Sequence, residues 1–97
     1  MPISSYEAIY IVSADFDDEQ VTLITDRFAK VVTDNGGEVE QAGKWEKRKL
    51  AYEIANHRDG TYCLMLFKAE HSVPAELSRL FRITDDIIRA RIYRKDD

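Results

Sequence analysis

The residues best equipped for chemistry in this 97-residue chain are cations. Lys44, Lys47, Arg48 and Lys49 fall in one short stretch beside Trp45, and Arg89, Arg91, Arg94 and Lys95 fall in another beside Tyr93. Guanidinium and ammonium groups contact phosphate oxygens without reading base sequence, and a neighbouring aromatic ring can stack on an unpaired base. The pattern suits a face turned toward nucleic acid. Charged outer strands also discourage sheet-to-sheet pairing, which is by itself a sufficient structural reason for them. The overall balance, 18 acidic against 14 basic side chains, hides how unevenly they are distributed. Residues 1 to 40 carry nine acidic and two basic groups, whereas residues 41 to 97 carry twelve basic and nine acidic ones. Such polarity suits a protein that turns one side toward phosphate; a pair of solvated strands with alternating charge is the alternative.

The other reactive side chains point away from catalysis. Cys63 is the only cysteine and sits in the apolar run Tyr62-Cys63-Leu64-Met65-Leu66-Phe67, where a buried structural thiol is expected rather than a nucleophile. His57 and His71 are far apart in sequence, with no cysteine or histidine at ligand spacing, so no metal site is expected. A chain of this length forms one domain, spanning 1 to 97, with a real core but little room for a deep substrate cavity. Binding or scaffolding is favoured over an enzyme with a small-molecule substrate. Hydrophobic content of 44% with 33% charged residues is ordinary for a folded chain, so no disordered segment is expected. No apolar run approaches the roughly 18 residues that span a bilayer, and the N-terminus lacks the basic flank and apolar block of a secretory signal. The expectation is a cytoplasmic protein with no membrane partner.

The elements that position the cations follow from periodicity. Tyr6 to Val12 is aromatic and β-branched, a strand. Asp17 and Gln20 fit a capping pattern ahead of Val21, Ile24, Phe28 and Val31 or Val32, an amphipathic helix that Asn35-Gly36-Gly37 closes. Glu38 to Ile54 reads as a long charged strand with a bulge at Gly43. Asn56 to Gly60 is turn chemistry, and Thr61 to Phe67 a strand apolar on both faces. Ser72-Val73-Pro74 starts a second helix with Leu77, Leu80 and Phe81 on its apolar face, and Ile87 to Tyr93 supplies the last strand. The order βαββαβ indicates an α+β, ferredoxin-like arrangement: a four-stranded antiparallel sheet with both helices on one face and the first and third strands central.

Strand alternation then predicts what the uncovered face carries. With Glu7 and Lys68 marking the outward phase, Ala8, Tyr10, Val12, Cys63, Met65 and Phe67 pack under the helices. Ile9, Ile11, Tyr62, Leu64 and Leu66 point the other way, beside Trp45. A monomer seldom leaves such a patch in water, so a protein partner or self-association is expected there; loops of the same chain are the alternative cover. Basic margins are expected on both sides of it. Small acyl-phosphate hydrolases share the βαββαβ order, but they need an arginine in a phosphate-cradling loop after the first strand. Here that loop is Ser13-Ala14-Asp15-Phe16, which repels phosphate. A regulatory ligand-binding domain would also use an apolar open face, whereas a generic single-strand RNA binder would need aromatics that Tyr62-Cys63-Leu64-Met65-Leu66 does not supply.

The segment Lys47-Arg48-Lys49-Leu50-Ala51-Tyr52-Glu53-Ile54, followed by Gly60-Thr61-Tyr62, resembles the bacterial small-subunit ribosomal protein family conventionally numbered six. That family's pattern has two basic residues, Leu-Ala-Tyr, a variable residue and Ile, then a short loop and a Gly before the third strand. Tyr6-Glu7, Asn35-Gly36-Gly37, Arg82-Ile83 and the acidic turn Asp85-Asp86 extend the likeness over the whole chain. The resemblance implies a non-enzymatic constituent of the small subunit. It also implies binding to the central domain of 16S ribosomal RNA as a heterodimer with the small-subunit protein numbered eighteen, without a cofactor. Position by position, Arg48 and Lys49 match the basic pair, Arg89 and Arg94 match basic positions of the last strand, and Tyr6 matches an aromatic site. With Arg91 these are the RNA-side candidates. Ser4 and Ser5 stand where the family often has basic residues, and Asn56 where a lysine can occur.

Overall fold

A computed structural model describes the backbone of residues 3–54 and 57–95, and their side chains except those of 44, 46–49, 51–54 and 57. Its elements are β1 (Ser4–Ser13), α1 (Asp18–Asp34), β2 (Glu38–Ile54), β3 (His57–Ala69), α2 (Ser72–Ile83) and β4 (Ile87–Arg94). The strands form one antiparallel sheet in the order β2-β3-β1-β4, so β1 and β3 are central as the crossover rule requires.

Local chemistry sets the ends of α1. The Asp17 carboxylate accepts the Gln20 N–H at 2.8 Å, and the Gln20 side chain accepts the Asp17 N–H at 2.9 Å, a reciprocal cap that satisfies two otherwise orphaned donors. At the other end Gly36 adopts φ +81°, a left-handed turn, and the Gly37 N–H donates to the Val32 carbonyl at 2.9 Å. Gly37 is needed for a different reason. A Cβ there would sit 2.6 Å from Val32 Cγ1 and 2.9 Å from the Lys68 carbonyl oxygen, where β2 leaves the helix and passes β3.

Both helices lie on one face. Beneath them Ala8, Tyr10, Val12, Cys63, Met65 and Phe67 are fully buried, together with Val21, Phe28 and Val32 of α1 and Val73, Leu77 and Phe81 of α2. Tyr10, Phe28 and Phe81 form an aromatic knot with ring centroids 4.6 to 5.6 Å apart. Burial pushes the Tyr10 hydroxyl far above the ordinary tyrosine range, so this ring stays neutral. Cys63 is a structural thiol in that core.

Two expectations change in the hairpin. The stretch expected as a turn is already strand from His57 onward, because Gly60 and Asp59 pair with Arg48 and Lys49; Asn56 lies outside the described residues. Gly43 stays in register opposite Leu64, and the irregularities fall instead between Val39 and Gln41, Lys44 and Glu46, and Lys49 and Ile54. Trp45 therefore occupies the bulge. Gly37→Ala, which presses a methyl group against a backbone oxygen, is expected to destabilise the fold by about 1–3 kcal/mol. The check is a lower urea midpoint at unchanged slope.

Candidate interface on the open sheet face

The register of the four strands lays the open face out in rows. From β2 to β4, one row joins Glu46, Tyr62, Ile11 and Arg89, and the next joins Gly43, Leu64, Ile9 and Arg91. A third joins Gln41, Leu66, Glu7 and Tyr93. Side chains alternate across a sheet, so the described side chains of these rows share the side opposite the helices. Ile9, Tyr62, Leu64 and Leu66 are only half-buried there. This contrasts with the zero exposure of their sequence neighbours Ala8, Cys63, Met65 and Phe67. The alternation expected for β1 and β3 is therefore present, and the patch is not sealed beneath the helices.

Ile11 departs from the expectation of an exposed contact, being 6% exposed. It lies on the open face but is covered by its own chain: Gly60 leaves the space, since a Cβ there would collide with Ile11 Cγ2, and Leu50 closes in beside it, itself 7% exposed. Loop or hairpin cover thus accounts for one of the five apolar positions. Trp45 is 55% exposed at the β2 bulge, between the Lys44 position opposite Cys63 and the Glu46 position opposite Tyr62.

Arg89 and Arg91 stand on the patch's β4 margin opposite Ile11 and Ile9, followed by the half-exposed Tyr93 opposite Glu7. With Ile9, Ile11 and Tyr62 they line a shallow depression of about 190 Å³. Lys95 Nζ reaches Glu7 Oε1 at 3.6 Å, which balances the one carboxylate on this side of β1. Arg94 pairs with Tyr6 in the register and so belongs to the helix-side phase of β4, apart from Arg89 and Arg91. The sequence reading had grouped all three on one basic edge, and the family match had paired Arg94 with Arg89.

Tyr6 needs correction as an RNA-side candidate. Its ring is 7% exposed and stacks on Phe67 with centroids 5.4 Å apart, within the helix-side core. An aromatic in the same phase as Ala8 and Tyr10 is drawn under the helices, where no base can reach its face. The basic margin of β2 also lies elsewhere than expected. The β2 positions flanking Leu64 and Tyr62 are Gly43 and Glu46, while Lys47, Arg48 and Lys49 pair with Thr61, Gly60 and Asp59, near and beyond the end of β1 at Ser13. The side chains of Arg48 and Lys49 lie outside the described residues. Among those described, no cluster of three or more His, Cys, Asp or Glu groups could hold a metal, and no helix is long and apolar enough to cross a membrane.

Comparison with known proteins finds a family model described as ribosomal protein S6 that matches residues 5–94. The small ribosomal subunit protein bS6 of Desulforudis audaxviator is 45% identical over 91 residues, 94% of this chain and 97% of that protein. That of Lactobacillus johnsonii is 44% identical over 97 residues, 99% of each. The crystal structure of 30S ribosomal protein S6 from Thermotoga maritima matches with a TM-score of 0.88 at 25% identity, covering 97% of this chain and 89% of that one.

If Tyr6 is a packing residue and Arg91 a surface one, their truncations separate cleanly. Tyr6→Ala is expected to cost about 3 kcal/mol of stability, and Arg91→Ala less than about 0.5 kcal/mol. Chemical denaturation of the two variants checks both values. Equal small losses would return Tyr6 to the surface group.

Proposed function

The chain belongs to the ribosomal protein S6 family, whose members are non-enzymatic constituents of the bacterial small ribosomal subunit, and from that premise we propose how its open face is used. In this reading the apolar centre docks the small-subunit ribosomal protein numbered eighteen, and the basic margins hold the central domain of 16S ribosomal RNA beside it.

The observation that carries the reading is the open face itself: half-buried Ile9, Tyr62, Leu64 and Leu66 in adjoining rows, bordered on β4 by Arg89 and Arg91. Covering apolar surface contributes roughly 25 cal/mol per Å² removed from water, and it is the desolvated centre of a patch that concentrates binding energy. Arginines at its rim stay in contact with solvent and counterions, where they gain from phosphate through counterion release. The two kinds of contact are thus side by side but energetically distinct. Trp45 and Tyr93, both about half exposed, flank the centre from β2 and β4 and suit stacking on an unpaired base or packing against the partner. The hydrolase alternative is set aside by the family and by the loop after β1, where Asp15 is exposed and its N–H donates to Ser13 Oγ at 3.3 Å.

Two measurements test the division of labour. Leu64→Asp is expected to weaken binding of the protein numbered eighteen by at least about 2 kcal/mol while the unfolding midpoint stays close to that of the parent chain. Unchanged affinity would remove the centre from the interface. Arg91→Ala is expected to lower affinity for a 16S central-domain fragment and to reduce the slope of log K against log salt by about one. A slope identical to the parent's means that this arginine does not sit on phosphate.

A further inference from the structure

Among the described residues β4 is an edge strand, paired with β1 on one side only. The Lys95 N–H donates to the Ser5 carbonyl at 2.8 Å, and the register continues through Tyr93 with Glu7, Arg91 with Ile9 and Arg89 with Ile11. In an antiparallel pair, residues whose main-chain groups face the partner alternate with residues whose groups face away. The groups aimed at β1 therefore belong to Arg89, Arg91 and Tyr93. Those of Ala90 and Ile92 aim outward, away from the sheet.

Beside this edge, α2 and β4 enclose a groove of about 460 Å³. Phe81, Ala90 and Ile92 line its apolar part and Arg82, Arg89 and Arg91 its charged part, and no carboxylate is among the described lining residues. Outward main-chain groups beside an apolar groove are a template for strand addition, in which main-chain hydrogen bonds supply affinity and alternate side chains supply selectivity.

We propose that the β4 edge accepts an extended acidic segment of a partner protein as a fifth strand. Residues of the added strand opposite Ala90 and Ile92 share their side of the sheet and enter the groove against Phe81, so they are apolar. Residues between them fall on the side of Arg89 and Arg91, so they are carboxylates. A second copy adding its own β4 would set arginines opposite arginines, which cross-strand pairing disfavours. An RNA strand has no main-chain ladder to offer Ala90 and Ile92. The apolar centre of the heterodimer reading, Ile9, Leu64 and Leu66, does not line this groove, although Arg89 and Arg91 border both the groove and the open face.

The test uses the full chain and a fluorescein-labelled, end-blocked octapeptide in which valine alternates with glutamate. Saturable binding by anisotropy is expected, with the backbone amides of Ala90 and Ile92 shifting in the nitrogen–proton NMR spectrum. The same peptide N-methylated at its valine amides, which face Ala90 and Ile92, should bind roughly tenfold more weakly or worse, as loss of two or more ladder hydrogen bonds implies. A permuted peptide with its valines in one block should also bind more weakly, because half of them then point away from the groove. Arg91→Glu, at an exposed position on the side of the peptide's carboxylates, should weaken the alternating peptide several-fold without altering the unfolding midpoint. Equal affinity for the N-methylated peptide would overturn strand addition. So would saturation by the peptide with the Ala90 and Ile92 amides unmoved. Shifts of those amides with protein concentration alone would assign the edge to a second copy, and the proposal would likewise fall.

Discussion

Both helices cover the same side of a sheet whose central strands are apolar on both sides. That constraint governs the rest of the molecule. In β1 and β3 one phase, from Ala8 to Val12 and from Cys63 to Phe67, is sealed to zero exposure against α1 and α2. Its sequence neighbours Ile9, Tyr62, Leu64 and Leu66 are as apolar but only half-buried. The helix-side core, with its aromatic knot of Tyr10, Phe28 and Phe81, supplies the packing that holds the fold together. Apart from Ile11, which Leu50 and Gly60 cover, the opposite phase is thereby left available for contacts between molecules.

The charge arrangement follows the same geometry. A basic residue on β4 lands on the open face only if it shares the phase of Ile9 and Ile11 through the register, which Arg89 and Arg91 do and Arg94 does not. On the opposite edge, β2 starts with the exposed acids Glu38 and Glu40, and its cationic run pairs with the start of β3. The three register irregularities in β2 decide this displacement. The basic positions are therefore asymmetric, running along β4 on one edge and lying further along the hairpin on β2.

Much of this was legible in the residues. Period-two alternation located the buried phase of β1 and β3 correctly, and the Asp17–Gln20 pair marked the start of α1, because both signals are local. What escaped was set by long-range approach. Nothing near Ile11 in sequence foretells that Gly60 and Leu50 fold over it, and nothing near Gly43 foretells that the bulge slips to Trp45. Tyr6 shows the opposite lesson. Its phase with Ala8 and Tyr10 already placed it under the helices, and the family match, which carries position but not orientation, pointed it outward. The groove between α2 and the free edge of β4 could not be read from sequence at all, since it depends on where the helix lies across the strand.

The central claim is that the helix-free side of the sheet is where this chain meets its protein partner. The most direct measurement is methyl NMR of the isotopically labelled chain titrated with the small-subunit ribosomal protein numbered eighteen. The account predicts that methyl signals of Ile9, Leu64 and Leu66 shift or broaden, while those of Met65, Val73 and Leu77 on the helix side stay in place. Perturbation confined to α1, α2 or the core beneath them, with Ile9 and Leu64 unmoved, would contradict it.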